Sequence, residues 1–257
     1  MEVSAVTGLP EVREGDAIAE LVAEQAALRD GDVVCVASTI VSKAAGRQAD
    51  LAAFPASERA ERIADGIAAI AGEQKDPRFA QAIIEESEEI LTEAPFILAV
   101  TRFGHITVNA GIDRSNVPGA DLLLLPEDPG DCAERIRSGL GDRLDVDVAV
   151  TVTDTSGRPF RLGQRGVALG WAGMPAARDW RGESDREGRE LGATVQAVVD
   201  ELAAAANLVT GEGDGGTPVA VVRNFDFGDH AGSDDLYRPD DEDVVRNALR
   251  EWSHVRD

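Results

Sequence analysis

Cysteine is scarce in this sequence, and its two cysteines are far apart. Cys35 lies in an apolar strand pattern and Cys132 in a helical pattern. Neither belongs to a Cys-x-x-Cys pair, which argues against a zinc site and against a disulfide framework. No apolar run approaches the roughly 20 residues that a transmembrane helix needs, and the N-terminus has no hydrophobic signal segment. We therefore expect a soluble protein of the cytoplasm.

Lysine is almost absent. Lys43 and Lys75 are the only lysines, so arginine provides the other 23 of the 25 basic residues. With 48 acidic residues the formal net charge is −23. Such an acidic chain stays hydrated in concentrated salt, where repulsion between its carboxylates is screened, and we predict a halophilic protein. The same charge argues against nucleic-acid binding, because phosphates would be repelled.

Strand and helix patterns alternate along the chain, and no repeat or low-complexity linker divides it, so we treat it as one unit. Alternating or valine-rich segments predict strands at 3–6, 32–37, 96–100, 105–108, 146–153, 163–170 and 219–222. Helix-start signals predict helices after Asp16, Ser57, Asp76-Pro77 and Asp128-Pro129, from the capping box 184–187 to Leu208, and a last one reaching Trp252. The acidic run 85–89 is expected to form the solvated face of the helix that Asp76-Pro77 opens.

The end of the strand at 146–153 is the first candidate site. Asp154-Thr155-Ser156-Gly157 follows it, with Arg158 and Arg161 close behind. A carboxylate and two hydroxyls are oxygen ligands suited to a hard divalent cation, and guanidinium groups suit phosphate. The alternative is an ordinary acidic hairpin turn in which Asp154 caps its own backbone.

Two other strands end in polar clusters. Ser38, Thr39 and Lys43 follow the strand at 32–37, and an ammonium beside hydroxyls suits nucleotide phosphates. The P-loop pattern is not present, and a surface lysine on a loop is the alternative. Asp113 and Asn116 follow the hairpin at 96–108, and Asp113 could converge with Asp154 on one metal–phosphate site.

The segment 211–216 matches Gly-x-Gly-x-x-Gly, but its context is wrong for a dinucleotide site. That fingerprint follows a strand and opens a helix, whereas this segment follows a predicted helix and precedes a strand. We therefore reject a Rossmann site here. A glycine-rich loop that presents Glu212 to a metal stays open.

Taken in order, these segments resemble one family. Gly8-Leu9-Pro10, Ser38-Thr39 with Lys43, and the segments 85–88, 109–116, 153–158 and 211–213 follow one another as in the coenzyme F420-0:L-glutamate ligases, or F420 γ-glutamyl ligases, of haloarchaeal type. The resemblance implies an α+β fold particular to the family, with an antiparallel sheet and flanking helices, in an intertwined homodimer. It also implies one family unit over 1–257, which allows two subdomains, without the C-terminal flavin domain of some members.

The resemblance also implies an activity. Members are GTP-dependent ligases that add L-glutamate to the lactyl carboxylate of coenzyme F420-0 and then a second glutamate through a γ-linkage. It implies two divalent cations per site, Mg²⁺ or Mn²⁺, and allows K⁺ as well. The expected partners are thus GTP, L-glutamate and coenzyme F420-0, with no nucleic acid and no membrane.

Site residues are carried over position by position. Asp113 and Asp154 match ligands of the first metal, Thr155 and Glu212 match the second metal site, and Lys43 joins the two aspartates as a catalytic candidate. The positions that match GTP contacts are Leu9, Pro10, Glu11, Val12, Ser38, Thr39, Lys43, Asn116, Thr210, Gly211, Glu212, Gly213, Asp214, Gly215, Gly216 and Thr217. The chain departs from the family at Asp214-Gly215-Gly216, where glycine commonly precedes aspartate.

The chemistry of the residues agrees with a ligase that proceeds through an acyl phosphate. A carboxylate is a poor electrophile until it is phosphorylated, and phosphoryl transfer needs charge neutralisation more than covalent help from the protein. Two alternatives use the same residues. A metal-dependent phosphohydrolase would release phosphate without glutamate, and a non-catalytic nucleotide-binding protein would need only the loops.

Overall fold

The computed structural model describes residues 1–72, 74–115, 117–226 and 232–254. Asn116, a predicted nucleotide contact, lies outside these residues. The chain divides into two compact units. Unit 1 comprises Met1–Ala44 with Asp128–Leu236, and unit 2 comprises Ala45–Glu127 with Tyr237–Asp257.

The fold mixes helices and strands, which confirms the expected α+β class. The helices are α1 Ile18–Gln25, α2 Ser38–Ala44, α3 Glu58–Ala71, α4 Pro77–Glu85, α5 Pro129–Leu144, α6 Val198–Thr210 and α7 Val244–His254. The strands are β1 Glu2–Ala5, β2 Val33–Ala37, β3 Gln48–Ala49, β4 Ser87–Thr92, β5 Leu98–Thr101, β6 Ile106–Val108, β7 Leu122–Leu123, β8 Ala149–Ser156, β9 Arg165–Ala172, β10 Ala177–Asp179, β11 Val195–Gln196, β12 Val219–Arg223 and β13 Gly232–Ser233. Among the described helices, none has the length and apolarity that crossing a bilayer requires.

Unit 1 is built on a sheet with the strand order β1-β12-β2-β8-β9, in which only β2 and β8 run parallel. Valines alternate between its two faces, because successive strand residues point to opposite sides. Val34, Val150 and Val152 pack with α1, α2 and α5 on one face. Val33 and Ala149 pack with α6 on the other face. Both faces of β2 and of the first half of β8 are therefore buried, which explains the continuous apolar sequence of β2.

Glycines in β9 let two helices approach the sheet closely. A Cβ on Gly166 would overlap the backbone of Ala203 in α6, and a Cβ on Gly170 would overlap the start of α5 at Pro129. No side chain could move aside at either place, because the neighbouring atoms are backbone. The two glycines thus fix how α5 and α6 sit on the β8–β9 hairpin.

Unit 2 contains the sheet β4-β5-β6, the pair β3-β7 and the helices α3 and α4. Its helix starts confirm local predictions. The Ser57 hydroxyl accepts a hydrogen bond from the Ala60 amide at the start of α3. Asp76 caps α4 in the same way, with Pro77 at the first helical position. These starts were predictable because each cap is a contact between near neighbours in the sequence.

Three predicted helix features are wrong. Asp16 does not cap α1; its carboxylate accepts the Arg13 amide in the preceding turn. The capping box at 184–187 opens no helix, because the Asp185 carboxylate accepts the amides of Glu187 and Arg189 and holds a local turn instead. The helix starts only at Val198.

The acidic run 85–89 is also not a solvated helical face. The helix α4 ends at Glu85, and β4 begins at Ser87. Glu86 accepts a hydrogen bond of 2.6 Å from Arg47, and Glu89 receives arginine nitrogens from α7. The prediction of a solvated face is wrong because the arginine partners of this run lie far away in the sequence, and no local pattern indicates them.

Candidate active site

Lys43 is buried rather than exposed on a loop. The chain turns from β2 directly into α2 at Ser38, and Lys43 lies in the last turn of that helix with 6% of its surface exposed. Its Nζ donates to Oε1 of Glu11 at 2.5 Å. The surface-loop alternative is therefore wrong. A buried ammonium needs a carboxylate or phosphate partner, since an unpaired charge inside a protein is costly.

The partner of Lys43 comes from another predicted nucleotide-binding segment. Glu11 follows Leu9 and Pro10, and the next residue, Val12, is buried in the core of unit 1. Val12 anchors the segment, whereas the Glu11 side chain keeps 60% of its surface exposed. The structure thus joins the segments 9–12 and 38–43 through one ion pair that faces solvent on the glutamate side.

Asp154 and Thr155 lie within β8, not in a turn after it. Asp154 is opposite Val167, Thr155 is opposite Gly166, and pairing with β9 continues through Ser156. The hairpin-turn alternative for Asp154 is therefore wrong. The strand extends further than expected because β9 supplies a partner for each of these residues, which the sequence of β8 alone could not show.

The register of the sheet places Asp154 and Thr155 on opposite faces. Consecutive strand residues alternate, and Thr155 shares its face with Gly166, the residue that contacts α6. Asp154 therefore lies on the face that carries α2 and α5. The strand β2 ends with Ala37 opposite Thr153, so β2 does not pair with β8 beyond that point.

Thr155 and Glu212, the two residues expected at the second metal, are in contact. The Thr155 hydroxyl donates to Oε1 of Glu212 at 2.9 Å, and the Asn207 amide donates to the same oxygen at 2.6 Å. Asp200 ties α6 to β9 by accepting the Ala168 amide, which steadies the helix that leads to Glu212. Asn207 was not predicted from the sequence, although a polar residue in the last helical turn before a glycine-rich loop indicates such a contact.

A hydroxyl and a carboxylate oxygen fit the ligand preference of Mg²⁺ or Mn²⁺. Within neither unit do three or more His, Cys, Asp or Glu side chains of the described residues form a preformed metal cluster. Mg²⁺ is commonly held by one or two protein groups together with nucleotide phosphates and water. The Thr155–Glu212 pair is thus suited to a cation that arrives with a nucleotide.

The glycine-rich loop 211–217 connects α6 to β12. This confirms that the Gly-x-Gly-x-x-Gly match follows a helix and precedes a strand, and that a Rossmann reading is wrong. The Thr217 hydroxyl donates to the carbonyl of Thr210 at 3.1 Å and closes the loop at its base. Glu212 therefore leaves the C-terminus of α6 on a short closed loop.

Asp113 belongs to unit 2. Its backbone pairs with Leu123, and its carboxylate accepts the amide and the hydroxyl of Ser115, at 2.7 Å each. Asp154 belongs to unit 1. The convergence of the two aspartates on one cation stays a prediction, as does the contact of Asn116 with the nucleotide.

Neither cysteine provides a reactive thiolate. Cys35 lies inside β2, and burial raises the pKa of its thiol to about 12. Burial also raises the pKa of the Cys132 thiol in α5.

Comparison with known proteins identifies the family of this chain. Residues 8–224 match the family described as F420-0:Gamma-glutamyl ligase. A coenzyme F420:L-glutamate ligase of Haloarcula marismortui is 74% identical over 257 residues, which is 100% of both chains. Proteins of the same name from Natronomonas pharaonis and Archaeoglobus fulgidus are 70% and 46% identical, over 253 and 250 residues. These matches cover 98% and 97% of this chain and 98% of each relative.

The resemblance inferred from ordered motifs is thereby confirmed across nearly the whole chain. The family matches residues 8–224, and the coenzyme F420:L-glutamate ligase of Haloarcula marismortui matches the chain from end to end. The chain therefore belongs to the F420-0:Gamma-glutamyl ligases, a family of ligase enzymes.

Proposed function

We propose that this protein is a GTP-dependent ligase that adds L-glutamate to coenzyme F420-0, first one residue and then a second through a γ-linkage. The names of its relatives support the acceptor and the amino acid. One contact carries the proposed chemistry: Thr155 and Glu212 meet at 2.9 Å, although 57 residues separate them in the sequence. The family resemblance assigns both residues to one metal site.

The proposed reaction has two steps. An acceptor carboxylate oxygen attacks the γ-phosphorus of GTP, the bond to the β-phosphate oxygen breaks, and GDP leaves. The amine of glutamate then attacks the acyl carbon, inorganic phosphate leaves, and the amine loses its proton to solvent or a base. The acyl phosphate makes the second step possible, because phosphate is a far better leaving group than oxide.

The residues of unit 1 supply binding and charge for these steps. Lys43 offers a compact ammonium that could exchange Glu11 for a phosphate oxygen. Thr155 and Glu212 would hold one divalent cation, and Asp154 would be a ligand of the other. Bound Mg²⁺ or Mn²⁺ would neutralise charge on the transferring phosphoryl group. No serine, cysteine or histidine nucleophile is required.

The proposal also includes a homodimer in the cytoplasm and an accessory K⁺ ion. Light scattering on the purified protein in molar KCl tests the dimer directly. Replacing KCl by NaCl at equal concentration, with turnover as the readout, tests the K⁺ ion.

One incubation separates the proposal from its alternatives. The protein is mixed with GTP, Mn²⁺, L-glutamate and coenzyme F420-0 in KCl, and products are followed by mass spectrometry, with glutamate omitted in a parallel sample. Glutamate-dependent gain of glutamyl mass on F420-0 supports the ligase. Phosphate release without glutamate would indicate a phosphohydrolase, and binding of GTP without either product would indicate a nucleotide-binding protein.

A further inference from the structure

The segment between Asp154 and Asp179 contains no Asp or Glu, although the chain has 48 acidic residues. It includes the end of β8, the loop that follows it, and β9. Arg158, Arg161, Arg165 and Arg178 all lie in it. In a chain with a net charge of −23, this segment is therefore a local positive region.

Three of these arginines have a buried nitrogen without a partner. The Nε of Arg158, the Nη1 of Arg165 and the Nε of Arg178 are shielded from solvent and have no hydrogen-bond partner among the described residues. Arg178 is nevertheless held by Glu183 and by the ring of Trp180, whereas no described residue holds Arg158 or Arg165 in this way. Other arginines of unit 1 are paired: Arg223 with Asp32, Arg143 with Glu20, and Arg137 with Asp147. Burying donors without partners costs stability, so such groups call for a functional explanation.

The sheet register locates Arg165 relative to the proposed metal ligands. Arg165 is directly opposite Ser156, and Asp154 precedes Ser156 by two residues. Cross-strand partners share a face, and residues two apart on a strand share a face. Arg165 therefore lies on the Asp154 side of the sheet, away from the Thr155–Glu212 pair.

We propose that Arg158 and Arg165 bind a carboxylate of the substrates that are joined, rather than a phosphate of the nucleotide. The proposal rests on the proposed ligase function. In the proposed function Lys43 and the two cations would offset the nucleotide charge, which leaves these arginines for a carboxylate. A guanidinium fork matches a planar carboxylate by two parallel hydrogen bonds. The absence of acidic residues between Asp154 and Asp179 reduces the repulsion that an anionic substrate would otherwise meet.

The test uses Arg165→Gln, Arg158→Gln and Arg165→Lys in the full-length protein at fixed KCl concentration. Arg186→Gln is the control, since Arg186 is an exposed arginine of the same unit and its loss changes the charge equally. Coenzyme F420-0 and GTP are titrated separately by calorimetry, and KM is measured for glutamate. We expect the Gln variants to weaken F420-0 binding, or to raise the KM for glutamate, by roughly ten- to a hundredfold, with GTP affinity unchanged. The affected substrate identifies which carboxylate is bound, and Arg165→Lys should recover part of the loss.

Thermal unfolding separates this role from a structural one. A Gln variant should unfold at the wild-type temperature or higher, because it removes a shielded nitrogen that has no hydrogen-bond partner. A lower midpoint without a selective binding change would overturn the proposal, and so would weakened GTP binding alone or no effect at all. If the wild type does not ligate glutamate to F420-0, the proposed function fails, and L-glutamate alone becomes the carboxylate probe. Thermal stabilisation by L-glutamate that is equal in wild type and Arg165→Gln would then refute the arginine site as well.

Discussion

Substituting Gly166 by alanine tests how α6 is held against the hairpin that carries Thr155. The added Cβ would overlap the carbonyl oxygen of Ala203 and lie 2.7 Å from its carbonyl carbon. Ordinary contact begins at 3.4 Å, so the helix backbone must retreat by at least 3.4 − 2.7 = 0.7 Å. Because the obstructing atoms are backbone, no rotamer change relieves the overlap.

Overpacking of this kind typically costs about 1–3 kcal/mol. For a domain of 150–250 residues, each kcal/mol lowers the unfolding midpoint by about 2–4 °C. We therefore expect Gly166→Ala to unfold about 2–12 °C below the wild type in a thermal scan at fixed KCl. The helix α6 also positions Asn207 and Glu212, so its displacement should raise the Mn²⁺ concentration needed for half-maximal turnover.

Gly157→Ala is the matched control. Gly157 follows β8, the strand that pairs with β9, and a Cβ there would meet nothing within 4 Å. Its unfolding midpoint should equal that of the wild type or exceed it slightly, because alanine lowers the entropy of the unfolded chain. If both variants unfolded at the same temperature, the close packing of α6 on β9 would be refuted.

Three further predictions concern charge. Asp154→Asn keeps the shape of the side chain but removes a metal-binding charge, so turnover should fall by orders of magnitude in a folded protein; near-normal turnover would remove Asp154 from the metal site. Lys43→Ala should weaken GTP affinity roughly ten- to a hundredfold, and Lys43→Arg should also weaken it because the planar fork does not replace a buried ammonium; equal calorimetric affinities would contradict the role. Burial opposes ionisation of Asp32, but hydrogen bonds from the Arg223 guanidinium and the Arg29 amide outweigh it and lower the pKa of Asp32. The hydrogen bond from Arg250 likewise lowers the pKa of Glu89. Carboxyls whose folded pKa lies below the unfolded value stabilise the protein above about pH 4 and lose that stabilisation as pH falls through the folded pKa. The midpoint temperature of thermal unfolding should thus decrease as the pH is lowered below about 4. In Asp32→Asn this decrease should be less steep than in the wild type.

Local contacts explain which parts of the fold were predictable. The starts of α3, α4 and α5 follow from Ser57, Asp76 and Asp128, each of which caps an amide two or three residues away. The capping box at 184–187 shows the limit of this reasoning. The carboxylate of Asp185 can instead accept the amides of Glu187 and Arg189 and form a local turn. Nothing in the segment itself decides between a helix start and this turn.

The sequence alone determined the family, the α+β class and the candidate residues, because ordered motifs and helix caps are properties of neighbouring residues. Only the tertiary structure decided that Lys43 is buried against Glu11, that Thr155 meets Glu212 across 57 residues, and that Asp154 lies within a paired strand. It also decided that Glu89 faces arginines of α7 rather than water. The physical reason is the same in each case: strand pairing and helix packing fix which distant residues become partners, and no periodicity within a single segment encodes the partner's position.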